Sequence, residues 1–347
     1  MGRPARPFIV PVFLPNLGCL HQCAFCNQTL ITSVKQNAVS PEKLRFLINE
    51  FLQFQGPSRN TVQISFYGGN FLGLPEQLIK TLLNESTKFV ESGQVDSIRF
   101  STRPDTISDE RLNILKEYPV STIELGVQSM DDRVLAMAKR GHSSSDTVNA
   151  VGLLKKRGYA IGLQMMVGLP GDDEATSLAT GRRIADLAPD CVRIYPTVVL
   201  QNSLLARWYK EGKYTPLSLE PCVTLVKKLY LLFCEKKIPV IRMGLQASED
   251  LEKGTTILAG PYHPAFGHLV YSEIFLDMVE SHLGSDQKFA KTSPLPLLIK
   301  VHPQSISKMR GLKNKNIEIL KSKFHIESIT IIPDQSVAIN ACSISFS

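Results

Sequence analysis

The stretch that decides the fold runs from residue 16 to residue 28 and reads Asn-Leu-Gly-Cys-Leu-His-Gln-Cys-Ala-Phe-Cys-Asn-Gln. Cys19, Cys23 and Cys26 form a C-x3-C-x2-C run within it. Four thiolates complete the ligation of a four-iron cluster, so three leave one iron open to another molecule. The alternative is a structural zinc site that adds His21 or a distant ligand. Zinc sites usually combine two separated ligand pairs, and the sequence has no second pair, which favours the cluster.

The cysteine spacing, with Phe25 directly before the last cysteine, resembles the signature of the radical S-adenosylmethionine (SAM) superfamily. The resemblance implies a [4Fe-4S] cluster on Cys19, Cys23 and Cys26, whose open iron is chelated by the amine and carboxylate of SAM. It also implies that an electron from the cluster splits the sulfonium to give a 5′-deoxyadenosyl radical. An electron donor such as flavodoxin or ferredoxin is then an expected partner.

The composition is that of a globular chain with a large core. It has 347 residues, of which 43% are apolar, enough for one large or two ordinary domains. Of the seven cysteines, three are bunched and four have no close pairing, which favours a reducing compartment over a disulfide framework. Pro11 and Pro15 interrupt the apolar N-terminal run, and no stretch approaches the length of a membrane span. We therefore expect a cytoplasmic protein that does not enter membranes.

Strand and helix patterns alternate along most of the chain. Ser40 and Pro41 form a helix start, with serine as the N-cap and proline at the first helical position. Strands are predicted at 8–13, 62–66, 96–100, 122–126, 160–167, 191–195 and 238–242, and helices near 75–90, 108–117, 131–139, 144–157, 173–187, 202–210 and 219–236. Six or seven such units predict an α/β fold, an incomplete (β/α)6-type parallel barrel with its site at the carboxyl ends of the strands.

The pattern changes after residue 245. Residues 260–268 are rich in turn formers, and an amphipathic helix at 269–282 and a linker at 283–295 are predicted to follow. Strand, helix and strand patterns then lie at 297–302, 314–323 and 326–332. The sequence thus predicts a core domain of residues 1–246 and a small α+β C-terminal extension of residues 247–347.

Basic residues are concentrated in this extension. The formal net charge of the chain is +7, and seven basic residues from Lys300 to Lys323 stand against one acid, Glu318. Such an excess is compatible with a polyanionic partner such as RNA, with Lys308, Arg310 and Lys313 as candidate phosphate contacts. A solvated helix face is the equally weighted alternative.

Motifs that follow successive strands resemble the SAM-binding motifs of the superfamily. They are Tyr-Gly-Gly-Asn at 67–70, Ser-Thr-Arg-Pro-Asp at 101–105, Glu-Leu-Gly-Val-Gln-Ser at 124–129 and Gly-Leu-Pro-Gly at 168–171. The resemblance implies that SAM is contacted by Phe25, Gly68, Gly69, Asn70, Ser101, Gln128, Arg140 and Gln164. Asn70, Ser101 and Gln164 stand where relatives often carry an acid.

Over residues 8–246 the succession of motifs most resembles Elongator protein 3, the radical enzyme that modifies the wobble uridine of transfer RNA. The residues after Phe266 are too few for the acetyltransferase domain of that family, so acetyl-coenzyme A chemistry is not expected. Tyr195, Tyr262 and His263 are candidates for the substrate side, because such groups stack on a base or relay a proton. Two alternatives stay open: a radical enzyme acting on a small metabolite or tetrapyrrole, and a non-catalytic iron-sulfur RNA-binding protein.

Overall fold

The computed structural model describes residues 7–28, 30, 39–56, 61–245, 256–285 and 296–346. The chain forms two compact units. The first comprises Met1–Ser218 and Leu231–Tyr262, and the second comprises Leu219–Tyr230 and His263–Ser347. The predicted domain limits at residues 246 and 247 stay a prediction.

A parallel sheet of seven strands forms the first unit. In spatial order the strands are β1 (Phe8–Phe13), β2 (Val62–Tyr67), β3 (Ser97–Thr102), β4 (Val120–Gln128), β5 (Ala160–Val167), β6 (Cys191–Pro196) and β8 (Val240–Met243). Neighbouring strands all pair in parallel. Because β1 and β8 are the two edges of this order, the barrel is incomplete, and the predicted fold class is confirmed. A short antiparallel pair, β7 (Val199–Leu200) and β9 (Ile257–Ala259), was not predicted.

Helices connect the strands of this sheet. They are α1 (Pro41–Leu52), α2 (Glu76–Glu91), α3 (Asp109–Ile114), α4 (Asp132–Met137), α5 (Ser144–Lys156), α6 (Glu174–Asp186), α7 (Leu204–Lys210) and α8 (Leu219–Glu235). As predicted, Ser40 is the N-cap of α1, and its hydroxyl accepts a hydrogen bond from the Lys43 amide at 3.3 Å. Gly158 follows α5 with a positive φ of 77°, a conformation that glycine adopts at little cost and that ends a helix.

The two faces of the central strands have different chemistry. On β4 the side chains of Ile123, Leu125 and Val127 are fully buried, while the intervening Glu124 and Gln128 line a cavity inside the barrel. Since successive side chains of a strand point to opposite faces, the polar set faces inward, while Ile123 and Val127 lie outside the cavity lining. This alternation gives the barrel a polar interior, where such barrels commonly hold branched apolar side chains.

The second unit contains a three-stranded sheet. Its order is β11 (Ile329–Pro333), β10 (Leu297–Val301), β12 (Cys342–Phe346), with β10 parallel to β11 and antiparallel to β12. Its helices α9 (Phe266–Ser285), α10 (Ile306–Arg310) and α11 (Lys315–Phe324) surround a core that includes Phe275, Val279 and Ile299.

The predicted strand, helix and strand are present in this unit, whereas α10 and β12 were not predicted. The linker predicted from residue 283 is wrong for residues 283–285, which end α9, because Leu283 packs into the core of this unit and extends the helix. The remainder of that segment lies outside the described residues. Within the part of the chain that the structure describes, no helix is long and apolar enough to cross a membrane.

Candidate active site

A cavity of about 680 Å³ lies in the first unit, between the cysteine loop and the carboxyl ends of the strands. This volume is in the range of small-molecule and cofactor sites. The structure places eleven of the predicted site residues in its lining: Cys19, Cys23, Phe25, Cys26, Gly68, Gly69, Ser101, Gln128, Arg140, Gln164 and Tyr195. Residues more than a hundred positions apart in the sequence thus border one space.

The cysteine loop is fixed by backbone hydrogen bonds to neighbouring segments. The Ala24 amide donates to the Ala138 carbonyl at 2.9 Å, and the Ala24 carbonyl accepts from the Leu205 amide at 2.8 Å. Burial, together with the negative charge of neighbouring thiolates, raises the pKa of Cys26 to about 12 and also raises that of Cys19. Thiolate is the form that binds metal, so the loop needs a cationic centre to hold these sulfurs deprotonated.

The arrangement of the thiols bears on the kind of centre. Within the described ranges, no group of three or more His, Cys, Asp or Glu side chains is placed to hold a single metal ion. In a cubane each thiolate ligates a different iron, so the three sulfurs need to border a common space rather than to converge on one point. Cys19, Cys23 and Cys26 meet that requirement. The donor set therefore fits a cluster.

Two buried guanidinium groups face the same end of the cavity. Arg140 donates from Nη1 to the Cys23 sulfur at 3.2 Å and from Nη2 to the Gly126 carbonyl at 2.6 Å. Arg103 holds the Asp105 carboxylate with two bonds of 2.8 and 2.9 Å. Arg140 Nε and Arg103 Nη1 are buried without a hydrogen-bond partner among the described residues. Unpaired donors beside the thiols are suited to binding an anionic group. A thiolate-ligated cluster would be one such group, and the carboxylate of SAM would be another.

Asn70 holds the cysteine loop against β3. Its amide nitrogen donates to the Gly18 carbonyl at 3.0 Å, and its oxygen accepts from the Thr102 hydroxyl at 2.6 Å and the Arg103 amide at 3.0 Å. Its side chain is buried and lies outside the cavity lining. The structure therefore places Asn70 behind the cavity wall, where it positions the loop.

The glycines after β2 allow close approach of two chain segments. A Cβ at Gly69 would lie 2.5 Å from the Leu17 carbonyl oxygen and 2.6 Å from that of Leu14. Gly68 has a positive φ of 91°. A side chain at residue 69 would push the cysteine loop outward, which explains why glycine is needed there.

The end of β4 is bent towards the cavity. The register with β5 shifts between Gly126 and Gln128, and Gln128 has a φ of 67°. A bulge of this kind re-aims a side chain, and a positive φ in a residue other than glycine is a strained state common at functional sites. The Gln128 amide oxygen accepts a hydrogen bond from Gln164 at 3.2 Å. The two predicted glutamines thus form one polar pair.

A buried ion network occupies the barrel interior. Glu124, which is 4% exposed, is bonded by Arg99 and by Arg193, whose Nε and Nη2 lie 2.6 and 3.0 Å from its two oxygens. The two guanidinium groups hold the pKa of the Glu124 carboxyl below its usual range despite full burial. Arg193 also donates to the hydroxyls of Tyr67 at 3.1 Å and Tyr195 at 3.4 Å.

Glu124, Arg99, Arg193 and Tyr67 are not among the site residues predicted from the sequence. A signal was available, because polar residues recur at every second position of otherwise apolar strands, as at Arg193 and Tyr195 of β6. An inward-facing polar row is visible in that alternation. Which polar residues pair with each other is set by the barrel and has no local signature.

The other two predicted substrate residues lie elsewhere. Tyr262 is outside the cavity lining and packs against Val198 and Leu200 in the first unit. His263 belongs to the second unit, where its Nδ1 accepts a hydrogen bond from the Ala265 amide at 3.0 Å. Unlike Tyr195, neither side chain is brought to the cavity.

The basic residues of the second unit are partly engaged with their own neighbours. Lys315 and Lys323 pair with Glu220 and Glu280 at 3.0 and 2.8 Å. The Lys308 ammonium lies 4.6 Å from the centre of the Tyr271 ring. Arg310 and Lys313 are exposed at the end of α10 and in the turn after it.

Two family models match this chain. One describes the radical SAM superfamily and matches residues 14–182, and the other describes a radical SAM C-terminal domain and matches residues 189–275. Together they cover the cysteine loop and every strand of the parallel sheet except β1.

Among curated proteins, a tRNA uridine(34) acetyltransferase of Dehalococcoides mccartyi is 27% identical over 60% of this chain and 52% of its own length. An uncharacterized protein of Methanocaldococcus jannaschii is 30% identical over 63% of this chain and 70% of its own length. The chain spans about half the length of the tRNA uridine(34) acetyltransferases it matches.

Among solved structures, Elp3 of Methanocaldococcus infernus with an N-terminal deletion matches with a TM-score of 0.60 and 22% identity. The match covers 80% of this chain and 64% of that chain. At this level of identity the likeness concerns the fold.

The incomplete parallel barrel and the three thiols at its strand ends agree with these matches. The predicted family, enzyme class and cofactors are confirmed at the level of the superfamily, which takes its name from SAM. The chain belongs to the radical SAM superfamily, whose members use a [4Fe-4S] cluster together with SAM.

Proposed function

We propose that this protein cleaves SAM reductively to generate a hydrogen-abstracting radical, and that its substrate is transfer RNA. The observation that carries the proposal is the single cavity that joins the three thiols to Gly68, Gly69 and Arg140 at the strand ends. When bound, the cluster would supply the electron for cleavage of the sulfonium.

The chain's own groups have distinct proposed roles in this reaction. Cys19, Cys23 and Cys26 ligate the cluster, and Arg140, already bonded to the Cys23 sulfur, offers its unpaired Nε towards an anionic ligand. The Gln128 and Gln164 pair offers amide groups to the hydroxyls of the adenosyl ribose. Phe25, Gly68, Gly69 and Ser101 complete the proposed SAM contacts along the cavity wall.

Asn70 keeps these groups in place. It bonds the cysteine loop through the Gly18 carbonyl and β3 through Thr102 and the Arg103 amide. We therefore propose a positioning role for Asn70, in place of the direct SAM contact that the sequence suggested.

The choice of transfer RNA rests on the matched relatives and on the basic charge of the chain. Several of those relatives carry the name tRNA uridine(34) acetyltransferase, and the net charge of +7 suits a polyanion. Arg310 and Lys313 are the proposed phosphate contacts of the second unit, with Lys308 held over Tyr271. An electron donor such as flavodoxin or ferredoxin and a cytoplasmic location remain parts of this proposal.

A small anionic metabolite is the second candidate substrate. The observation that favours it is the pairing of Lys315 and Lys323 with carboxylates, which reduces the charge available to a nucleic acid. The two candidate substrates predict different effects of added transfer RNA on the formation of 5′-deoxyadenosine.

The test is anaerobic reconstitution with iron and sulfide, followed by addition of SAM and dithionite and quantification of 5′-deoxyadenosine with and without bulk transfer RNA. We expect 5′-deoxyadenosine to form and to increase with transfer RNA. A variant with Cys19, Cys23 and Cys26 all changed to Ala is the background, and a Cys234→Ala variant, which removes an exposed thiol, is the matched control.

Formation of 5′-deoxyadenosine that ignores transfer RNA would favour the small metabolite. Its absence from protein that has demonstrably bound four irons would refute the catalytic proposal. In that case the non-catalytic iron-sulfur RNA-binding alternative is tested by RNA binding of the same sample.

A further inference from the structure

A second part of the cavity lining, its β6–β8 end, comes from the last two strands of the sheet and the residues that follow them. Arg193 and Tyr195 of β6 and Arg242 of β8 line it, together with the apolar side chains of Val198 and Leu245. Arg193 and Arg242 are register partners on adjacent strands, so their backbones are about 5 Å apart. Two guanidinium groups therefore emerge side by side from the barrel wall.

Among the described residues that line this end of the cavity, positive charge exceeds negative charge. Glu124 is the one carboxylate in the cavity lining among the described residues, and both its oxygens are occupied by Arg99 and Arg193. Arg242 has no hydrogen bond or ion pair with any described residue and is half-buried. Placing an uncompensated guanidinium beside another in a partly enclosed site is unfavourable unless an anion joins them.

The hydrogen-bonding groups at this end of the cavity also favour an anionic ligand. The Tyr195 hydroxyl accepts from Arg193 at 3.4 Å, so its own hydrogen is directed to another acceptor. Arg242 carries donors and no acceptor. The groups that this end of the cavity offers to a ligand are thus donors, which match a ligand rich in acceptor oxygens.

We propose that Arg242, beside Arg193 and Tyr195, binds a phosphate of the substrate nucleotide. This inference rests on the proposed function and names the group that the substrate presents to this end of the site. Arginine suits phosphate because its planar fork donates two parallel hydrogen bonds. Glu124 fixes the orientation of Arg193, and no described residue bonds the fork of Arg242.

The apolar part of the lining supports a nucleotide as the carrier of the phosphate. Ile9 and Phe13 of β1 face the cavity, as do Val198 and Leu245. Apolar and aromatic side chains contact the faces of unstacked bases, while hydrogen bonds hold the backbone. The phosphate belongs either to an RNA chain or to a free nucleotide, and the experiment separates these sources.

The test measures binding to the reconstituted protein, without turnover. Wild type, Arg242→Gln and Arg242→Lys are titrated with fluorescent transfer RNA between about 50 and 200 mM salt, and by calorimetry with uridine 5′-monophosphate and with uridine. Arg182→Gln is the matched control, because it also removes one positive charge from the first unit but at an exposed site on α6, where the side chain has no hydrogen bond or ion pair with a described residue.

We expect Arg242→Gln to weaken transfer RNA binding roughly tenfold and to reduce the slope of log K against log salt by about 0.7 to 0.9, the value for one lost phosphate contact. Arg242→Lys should retain the slope, and Arg182→Gln should match wild type. Weakened binding of uridine 5′-monophosphate alone, with uridine and transfer RNA unaffected, supports the free nucleotide as the source.

If Arg242→Gln binds both phosphate ligands as wild type does, or no more weakly than Arg182→Gln, the inference is overturned. That failure is distinguishable from failure of the proposed function, because wild-type protein would still form 5′-deoxyadenosine in response to transfer RNA. Conversely, wild type that forms no 5′-deoxyadenosine refutes the proposed function, and the nucleotide titration still decides the role of Arg242.

Discussion

The barrel interior and the second unit both carry many charged residues, but they use them in opposite ways. In the barrel, Glu124 is buried and shared by Arg99 and Arg193. In the second unit, Lys315 pairs with Glu220, whose side chain is 79% exposed. A buried carboxylate persists only where its partners are fixed, whereas an exposed pair exchanges readily with water. The buried charges of the barrel are therefore stronger evidence for a functional site than the basic residues from Lys300 to Lys323.

The largest difference between the two regions is expected when one carboxylate is removed from each, Glu124 in the barrel and Glu220 in the second unit. We expect Glu124→Ala to lower the free energy of unfolding by about 3–5 kcal/mol, because it leaves two buried guanidinium groups without a counter-charge. Glu220→Ala should leave the denaturant midpoint unchanged. Urea unfolding followed by circular dichroism measures both variants. Equal midpoints for Glu124→Ala and wild type would show that the buried network has no special energetic weight.

A second test uses pH. Burial, followed by the charges of Arg140 and Arg103, lowers the pKa of His142 from 6.5 to about 4. The histidine of the unfolded chain therefore binds a proton at a higher pH than His142 of the folded protein. The free energy of unfolding should keep its full value above pH 6.5 and fall by up to roughly 3 kcal/mol as the pH decreases towards 4. Thermal unfolding of His142→Gln should lack that part of the pH dependence.

The matched control for His142 is His325→Asn, which changes an exposed histidine in the second unit and retains a residue that tolerates its positive φ of 55°. It should follow the wild-type pH curve. A His142→Gln curve that also coincides with wild type would contradict the assignment of this pH dependence to His142.

The third test compares two buried asparagines. Asn70 joins the cysteine loop to β3, and Asn316 donates to the carbonyls of Ser272 and Met309 at 2.8 and 3.0 Å in the second unit. Each change to Ala should cost about 2 kcal/mol, because buried partners lose their hydrogen bonds. Iron bound per chain after reconstitution should fall for Asn70→Ala and remain at the wild-type level for Asn316→Ala. An equal loss of iron in both variants would mean that global stability controls cluster retention.

The smallest expected effects concern the exposed lysines of the second unit. Lys315→Ala and Lys323→Ala should change the free energy of unfolding by less than about 1 kcal/mol, as is usual for surface ion pairs. Arg310→Gln combined with Lys313→Gln should weaken transfer RNA binding more than the Lys315 and Lys323 changes combined. The reverse order in a filter-binding assay would contradict the choice of Arg310 and Lys313 as phosphate contacts.

Much of the barrel was predictable because its signals are local. The strand at 160–167 was predicted with the limits that β5 shows, and the Ser40 cap marks the start of α1 as expected. The short strands β7 and β9 were missed, since two or three residues carry no periodicity and the pairing joins positions almost sixty residues apart. The end of α9 was also misplaced, because helix limits depend on packing as well as on propensity.

The sequence by itself determined the cysteine loop, the parallel barrel and the superfamily, because the cysteine spacing and the alternation of strand and helix patterns are properties of neighbouring residues. Tertiary structure alone decided which side chains share the cavity. It placed Tyr195 inside and Asn70 behind the wall, and it joined Glu124 to arginines from two other strands. Such contacts depend on strand order and register, which bring distant residues together only when the sheet has formed.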